Sequence, residues 1–263
     1  MANTGTNTGT KEWAVANVNC WLGCEHRCRY CYAQANAKQY GRIKTAQEWG
    51  TTYNRPNANP MAGASRLYHG PVMFPSSHDI TPDNIDVCLR ALRSLLVVDN
   101  QVLIVSKPHA ECVELLCEKL WRYRKLILFR FTIGSMDADE AAYWEPGAPP
   151  PAERLYCLAY AVYHGFRTSV SCEPLLTQDY WRLIDAVDPY TTGTIWIGMM
   201  NRIRSCVVKG TSEEEIARIE QLQHPDVVRC IYEDLKDHPK IRWKDSYKKA
   251  LGLELVTEPG LDL

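Results

Sequence analysis

Short apolar runs alternate with amphipathic stretches along most of this chain. Residues 15–21 read as a strand, and 31–42 as a helix rich in Ala and Gln. Pro56, Pro60 and Gly63 mark residues 51–65 as a loop, and 72–74 as the next buried strand follows it. At Thr81-Pro82-Asp83 a helix is expected to start: Thr caps, Pro takes the first helical position, and Asp faces the positive end. Behind it Ile85, Leu89, Leu92 and Leu96 fall on one face. Further strands are expected over 102–105, 126–131, 167–172 and 194–197, with helices up to about Arg124, over 152–164 (stopped by Gly165) and over 180–187. A loop with Glu145-Pro146-Gly147 ends near Pro151. Two polar helices, around 212–222 and 225–237, precede a terminal segment holding Ile241-Arg242-Trp243.

Strands of four to six residues separated by helices imply βαβ units and a parallel sheet. Six such units predict an α/β fold, a partial (β/α)6 TIM-type barrel with C-terminal helices. The expected division is a flexible N-terminus at 1–12, a core barrel at 13–205 and a helical extension at 206–263. In such barrels chemistry sits at the C-terminal strand ends. That singles out 24–31, 76–79, Ser106-Lys107, 132–136, Cys172-Glu173 and 199–201.

The 263 residues are 46% hydrophobic and 23% charged, ordinary values for a folded domain. The first ten residues are Asn, Thr and Gly with almost no apolar side chain, too little to order them. No apolar run approaches a membrane span, and no secretory leader is visible, so a cytoplasmic protein without a membrane partner is expected. In a reducing compartment the 11 cysteines are expected to stay unpaired, so a close group of them suggests metal binding. The net charge of −1 gives no global field for non-specific nucleic-acid binding. Arg202 with Arg204, and Arg242 with Lys244, Lys248 and Lys249, are local basic candidates that read first as solvated faces.

Cys24, Cys28 and Cys31 form C-x3-C-x2-C on a strand-to-helix loop. Thiolates suit iron–sulfur clusters and zinc. Three cysteines would leave one iron of a [4Fe–4S] cluster open to a cofactor. With Cys20 the set reaches four, enough for a closed zinc site and a non-catalytic structural or interaction protein. One compact run entering a helix disfavours that alternative.

The spacing, with Tyr30 before the third cysteine, resembles the radical S-adenosylmethionine superfamily. Gly23-Cys24, Cys28-Arg29-Tyr30-Cys31-Tyr32-Ala33, Ser106-Lys107, Trp144-Glu145-Pro146, Arg154, Gly165 and Glu173-Pro174 are similar to its spore photoproduct lyase and DNA repair photolyase-like branch, over roughly residues 15–200. The resemblance implies a [4Fe–4S] cluster on Cys24, Cys28 and Cys31 and reductive cleavage of S-adenosylmethionine to a 5′-deoxyadenosyl radical. It further implies a reductant such as flavodoxin or ferredoxin, and a nucleic-acid or related substrate. The cofactor contacts it suggests are Tyr30, Ser77, His78, Asp79, Lys107, Ser135 (or Thr132) and Glu173. One departure is Ser76, where the lyases carry a hydrogen-donating cysteine. Cys172 is an alternative thiol, read first as core, as are Cys88, Cys112, Cys117, Cys157, Cys206 and Cys230. His26 is expected to be exposed between the ligands, His109 and His164 to be surface or capping residues, and Glu145-Pro146-Gly147 to shape a loop.

Overall fold

The apolar alternation reappears in space as a parallel sheet. The computed structural model describes residues 9–256 and 258. Among these, seven strands pair in chain order, all parallel: β1 (Ala16–Asn17), β2 (Val72–Phe74), β3 (Val102–Ser106), β4 (Ile127–Thr132), β5 (Arg167–Cys172), β6 (Ile195–Ile197) and β7 (Ile241–Trp243). Successive side chains on each strand take opposite sides. Ile104, Phe129, Phe131, Val170 and Ile195 join the main core under the helices. Met73, Leu103 and Trp196 instead form a second cluster with Trp13 and Ala14 inside the curve of the sheet. The architecture is the partial TIM-type barrel expected, with a seventh strand.

The helices that cover the sheet are α1 (Tyr32–Gln39), α2 (Ile85–Val97), α3 (Ala110–Leu120), α4 (Ala138–Trp144), α5 (Pro151–Tyr163), α6 (Tyr180–Val187), α7 (Glu213–Leu222), α8 (Pro225–Leu235) and α9 (Asp245–Leu251). The stripe on α2 buries Cys88, Ala91, Leu92, Leu95 and Leu96.

Several boundaries move for local reasons. Helix α2 starts at Ile85, after Thr81-Pro82-Asp83, because the Asn84 side chain accepts the Thr81 N–H at 3.0 Å and makes a turn there. Helix α4 lies in the stretch expected to be a loop; Asp137 caps it by accepting from the N–H groups of Asp139 and Glu140 at 2.9 and 3.0 Å. The strand expected at 15–21 is interrupted. Its end, Trp21–Leu22, leaves the barrel and pairs antiparallel with Arg55–Pro56. In the terminal segment, Ile241–Trp243 is the strand β7 that extends the sheet beyond β6. Of the N-terminal segment expected to be flexible, residues 1–8 lie outside the described residues, whereas Gly9–Glu12 form a 3-10 turn with Glu12 buried.

That turn sits at the open seam, since β1 and β7 are the sheet's two edges. Lys244, just after β7, is 1% exposed, so it belongs to no solvated basic face. Its Nζ lies 2.7 Å from Glu12 Oε1 and donates to the Gly9 carbonyl at 3.1 Å. The Asp245 N–H donates to Glu12 Oε2 at 3.0 Å. Arg204, from the other basic candidate, is neutralised by Glu213 and Glu220, each at 2.6 Å. Among the described residues no helix is long and apolar enough to cross a membrane.

Candidate active site

The cysteine loop is shaped by two glycines. Gly23 has φ +74°, and a Cβ there would lie 2.4 Å from the Trp49 carbonyl oxygen, so only glycine turns the chain into Cys24. Gly147 presses on the loop from the other side: a Cβ would lie 2.3 Å from the Glu25 oxygen. Its N–H donates to the His26 carbonyl at 2.9 Å, and the Arg29 N–H donates to the Trp144 carbonyl at 2.8 Å. The segment that the resemblance marks as Trp144-Glu145-Pro146 thus clamps the cysteines. Cys31 caps α1, its Sγ accepting the Gln34 N–H at 3.4 Å. The positive helix end and the Gln34 N–H therefore face this thiol and offset part of the cost that burial puts on its charge.

Cys24, Cys28 and Cys31 open onto one cavity of about 550 Å³, within the range of small-molecule sites. Its wall runs over Tyr30, Ser77, His78, Asp79, Lys107 and Glu173, which come from the cysteine loop and from the ends of β2, β3 and β5. Thr132, at the end of β4, also lines it. Burial pushes the Cys28 thiol up to about 12 and raises Cys24 and Cys31 as well. Three soft donors from one loop, shielded from water beside the Lys107 ammonium, suit an anionic iron–sulfur centre, and ligation itself would displace their protons.

Asp79 is the hub of this wall. Its Oδ1 accepts from the Ser106 hydroxyl and from the Ile80 N–H (2.8 Å). Its Oδ2 accepts the Lys107 N–H at 3.0 Å and lies 3.2 Å from His26 Nδ1. Burial opposes its charge, yet His26, Lys107 and Ser106 together hold its carboxyl well below the usual range. His26 is only 1% exposed, contrary to expectation, because it turns inward to Asp79. Its Nε2 lies 2.8 Å from His109 Nε2, so His109, at the N-cap position of α3 as one reading expected, also reaches the cysteine loop.

A second hub is Glu145. It is 1% exposed and does more than shape a loop. One oxygen accepts from the Tyr30 hydroxyl and lies 3.8 Å from Lys107 Nζ; the other lies 2.5 Å from Arg154 Nη1. Arg154, also 1% exposed, donates further to the carbonyls of Pro149 (2.7 Å) and Thr132 (3.1 Å). Burial opposes the charge on Lys107, but Cys28, Glu145 and Asp79 outweigh it and raise its pKa. The ammonium is therefore fixed as a cation at the cavity wall.

The remaining expected residues divide. Ser77 is held by its N–H, which donates to Asn19 Oδ1 at 2.9 Å, as does that of Ser76 at 2.8 Å. Asn19 is thus a positioning residue that sequence patterning missed. Glu173 lies 3.5 Å from Lys244 Nζ and accepts from Asn201 Nδ2 at 3.4 Å; burial raises its pKa. Ser135 is not on the cavity wall; its hydroxyl accepts the Asp137 N–H at 3.0 Å, a turn contact leading into α4. Cys20 also faces away from the cavity, towards Cys88 and His78. Cys172 is fully buried in the main core.

No known family profile matches the chain. In sequence it is similar to the uncharacterized protein ORF301 of Acidianus two-tailed virus, 25% identical over 172 residues, which are 62% of this chain and 56% of that protein. The chain thus spans about half the length of that relative. In structure it is similar to a mutant of spore photoproduct lyase, at TM-score 0.59 and 16% identity over 92% of this chain and 79% of that one. A spore photoproduct lyase complexed with dinucleoside spore photoproduct gives TM-score 0.53 at 16% identity, over 84% of this chain and 64% of that one. Streptococcus suis SuiB bound to S-adenosylmethionine gives TM-score 0.53 at 12% identity, over 94% of this chain and 54% of that one. The chain is therefore built on the partial-barrel fold of spore photoproduct lyase and SuiB, the relationship that its cysteine loop resembles.

Proposed function

We propose that this chain is a radical S-adenosylmethionine enzyme, with a [4Fe–4S] cluster on Cys24, Cys28 and Cys31 and S-adenosylmethionine in the cavity they face. The observation that carries this reading is the meeting of those thiols with Lys107, Asp79 and Glu173 in one cavity, on a fold shared with a protein bound to S-adenosylmethionine. When bound, the pair supplies one-electron cleavage of the sulfonium and so a hydrogen-abstracting radical.

The chain's own residues bind, orient and shield. Cys24, Cys28 and Cys31 would hold the cluster as three thiolates, leaving it open to the cofactor. Lys107, kept cationic by Glu145 and Asp79, pairs with that carboxylate. Tyr30, fixed through Glu145, sets the backbone that meets the adenine. Ser77, His78 and Thr132 complete the polar wall, and Glu173 supplies an acceptor for a cofactor N–H or hydroxyl. Asp79 acts mainly through others, since His26, Ser106 and the Lys107 N–H occupy its oxygens.

A small electron-transfer protein such as flavodoxin or ferredoxin would deliver the electron. A nucleic-acid or related substrate is supported by the fold shared with a lyase complexed with a dinucleoside. Ser76 replaces the thiol expected in the lyases, which weighs against photoproduct reversal by the same hydrogen donor. The turn of Cys20 away from the cavity weighs against a closed four-cysteine zinc site.

The test is anaerobic purification, reconstitution with iron and sulfide, reduction, and addition of S-adenosylmethionine. The expected product is 5′-deoxyadenosine, lost in Cys28→Ala. Tight zinc with no iron uptake would overturn the reading.

A further inference from the structure

Outside the cavity wall the chain buries a second pair of thiols. We infer that Cys20 and Cys88 are a redox couple that a hydroperoxide closes to a disulfide, tying the segment ahead of the cysteine loop to α2. This goes beyond the proposed reaction and does not depend on it.

The two Sγ atoms lie 3.6 Å apart, and both residues are 0% exposed. A disulfide bond of about 2.05 Å therefore asks each sulfur to move by roughly 0.8 Å. Their surroundings give them different chemistry. His78 Nδ1 lies 2.9 Å from the Asp79 carbonyl oxygen, which can only accept, so Nδ1 carries the proton. The lone pair of the neutral ring is then on Nε2, which faces Cys20: it accepts the Cys20 N–H at 3.3 Å and lies 3.8 Å from the Cys20 sulfur. The Cys88 thiol donates to Asn84 Oδ1 at 3.2 Å. The Cys88 contact, opposed by burial and joined by His78, brings Cys20 down to about 5, while burial and the neighbouring Cys20 raise Cys88. Cys20 is the attacking sulfur and Cys88 the resolving one. His78, which touches Cys20, also lines the main cavity, so one side chain separates the pair from that space.

The chemistry balances with hydrogen peroxide as the oxidant. The Cys20 thiolate attacks one peroxide oxygen, the O–O bond breaks, and the hydroxide that leaves takes up the proton that the Cys20 thiol gave up, forming the first water. The resulting sulfenic acid is attacked by Cys88; the S–O bond breaks and a second water leaves with the Cys88 proton. Two thiols are oxidised by two electrons, and one peroxide is reduced to two waters.

The test is brief peroxide treatment of the full-length folded chain, then thiol blocking in denaturant and peptide mass spectrometry. A Cys20–Cys88 linked peptide is expected, formed at least tenfold faster than in chain treated in urea. In Cys88→Ser, with its fold checked by circular dichroism, Cys20 should remain as a sulfenic acid that a dimedone probe labels several-fold above the unsubstituted chain. If Cys20 and Cys88 stay fully blockable while other cysteines oxidise, or the linkage forms equally fast in urea, the inference fails. Absence of dimedone label on Cys20 in a folded Cys88→Ser chain also overturns it.

Discussion

The Glu145 carboxylate and the Arg154 guanidinium meet at 2.5 Å with both side chains 1% exposed, so each is the other's main compensation for leaving water. Removing one partner strands the other charge in the interior. Arg154→Met should cost about 3–5 kcal/mol in urea unfolding. Adding Glu145→Gln should recover much of that loss. A single-variant cost below about 1 kcal/mol would show that the pair is not the anchor described here.

In the proposed reading Lys107 pairs with the cofactor carboxylate and is not itself a cluster ligand. Lys107→Ala is therefore expected to keep iron and sulfide content at the level of the unsubstituted chain. It should weaken S-adenosylmethionine binding by about tenfold or more, which is about 1.4 kcal/mol of lost pairing. Equilibrium dialysis of the reconstituted protein reads this, and unchanged affinity would refute the assignment.

Asp79 sets an acid limit. Its folded-state pKa is depressed, because His26, Lys107 and Ser106 overcome the cost of burial. The stability it contributes is complete above the ordinary carboxylate range. It is lost as pH falls through about 4 towards the folded-state value, a loss on the order of 2–3 kcal/mol. Asp79→Asn should be less stable at pH 7 and should lose less on acidification from pH 5 to 3. Parallel losses for both chains in urea titrations would contradict this.

Gly147 faces the chain at Glu25 and His26 more closely than any side chain permits. Gly147→Ala should cost about 1–3 kcal/mol and, more tellingly, lower the iron retained per chain after reconstitution by shifting the cysteine loop. Full iron retention would mean that the clamp does not set the ligand geometry.

Local pattern carried much of this structure. The strand over Arg167–Cys172 and the helix over Tyr180–Val187 were readable to the residue, because period and flanking signals agree there. The cavity followed from placing polar residues at strand ends. Contacts spanning long sequence distances were not readable. Nothing next to His26 announces Asp79 or His109, so a polar residue between cysteines reads as exposed. Glu145 sits before a proline and a glycine and reads as a turn until Arg154, Lys107 and Tyr30 are brought to it. Ile241–Trp243 is too short and too polar in the middle to signal a strand; it becomes one by pairing with β6.

The seam between β1 and β7 gives the molecule an order of assembly. Glu12 and Asp245, joined there by a hydrogen bond, are 233 positions apart. A chain leaving the ribosome therefore has its three cysteines long before it has Lys244. Until that lysine arrives, Asn17 holds Thr10 and Arg130 stacks over Trp13, but Glu12 lacks its ion pair and the seam stays open.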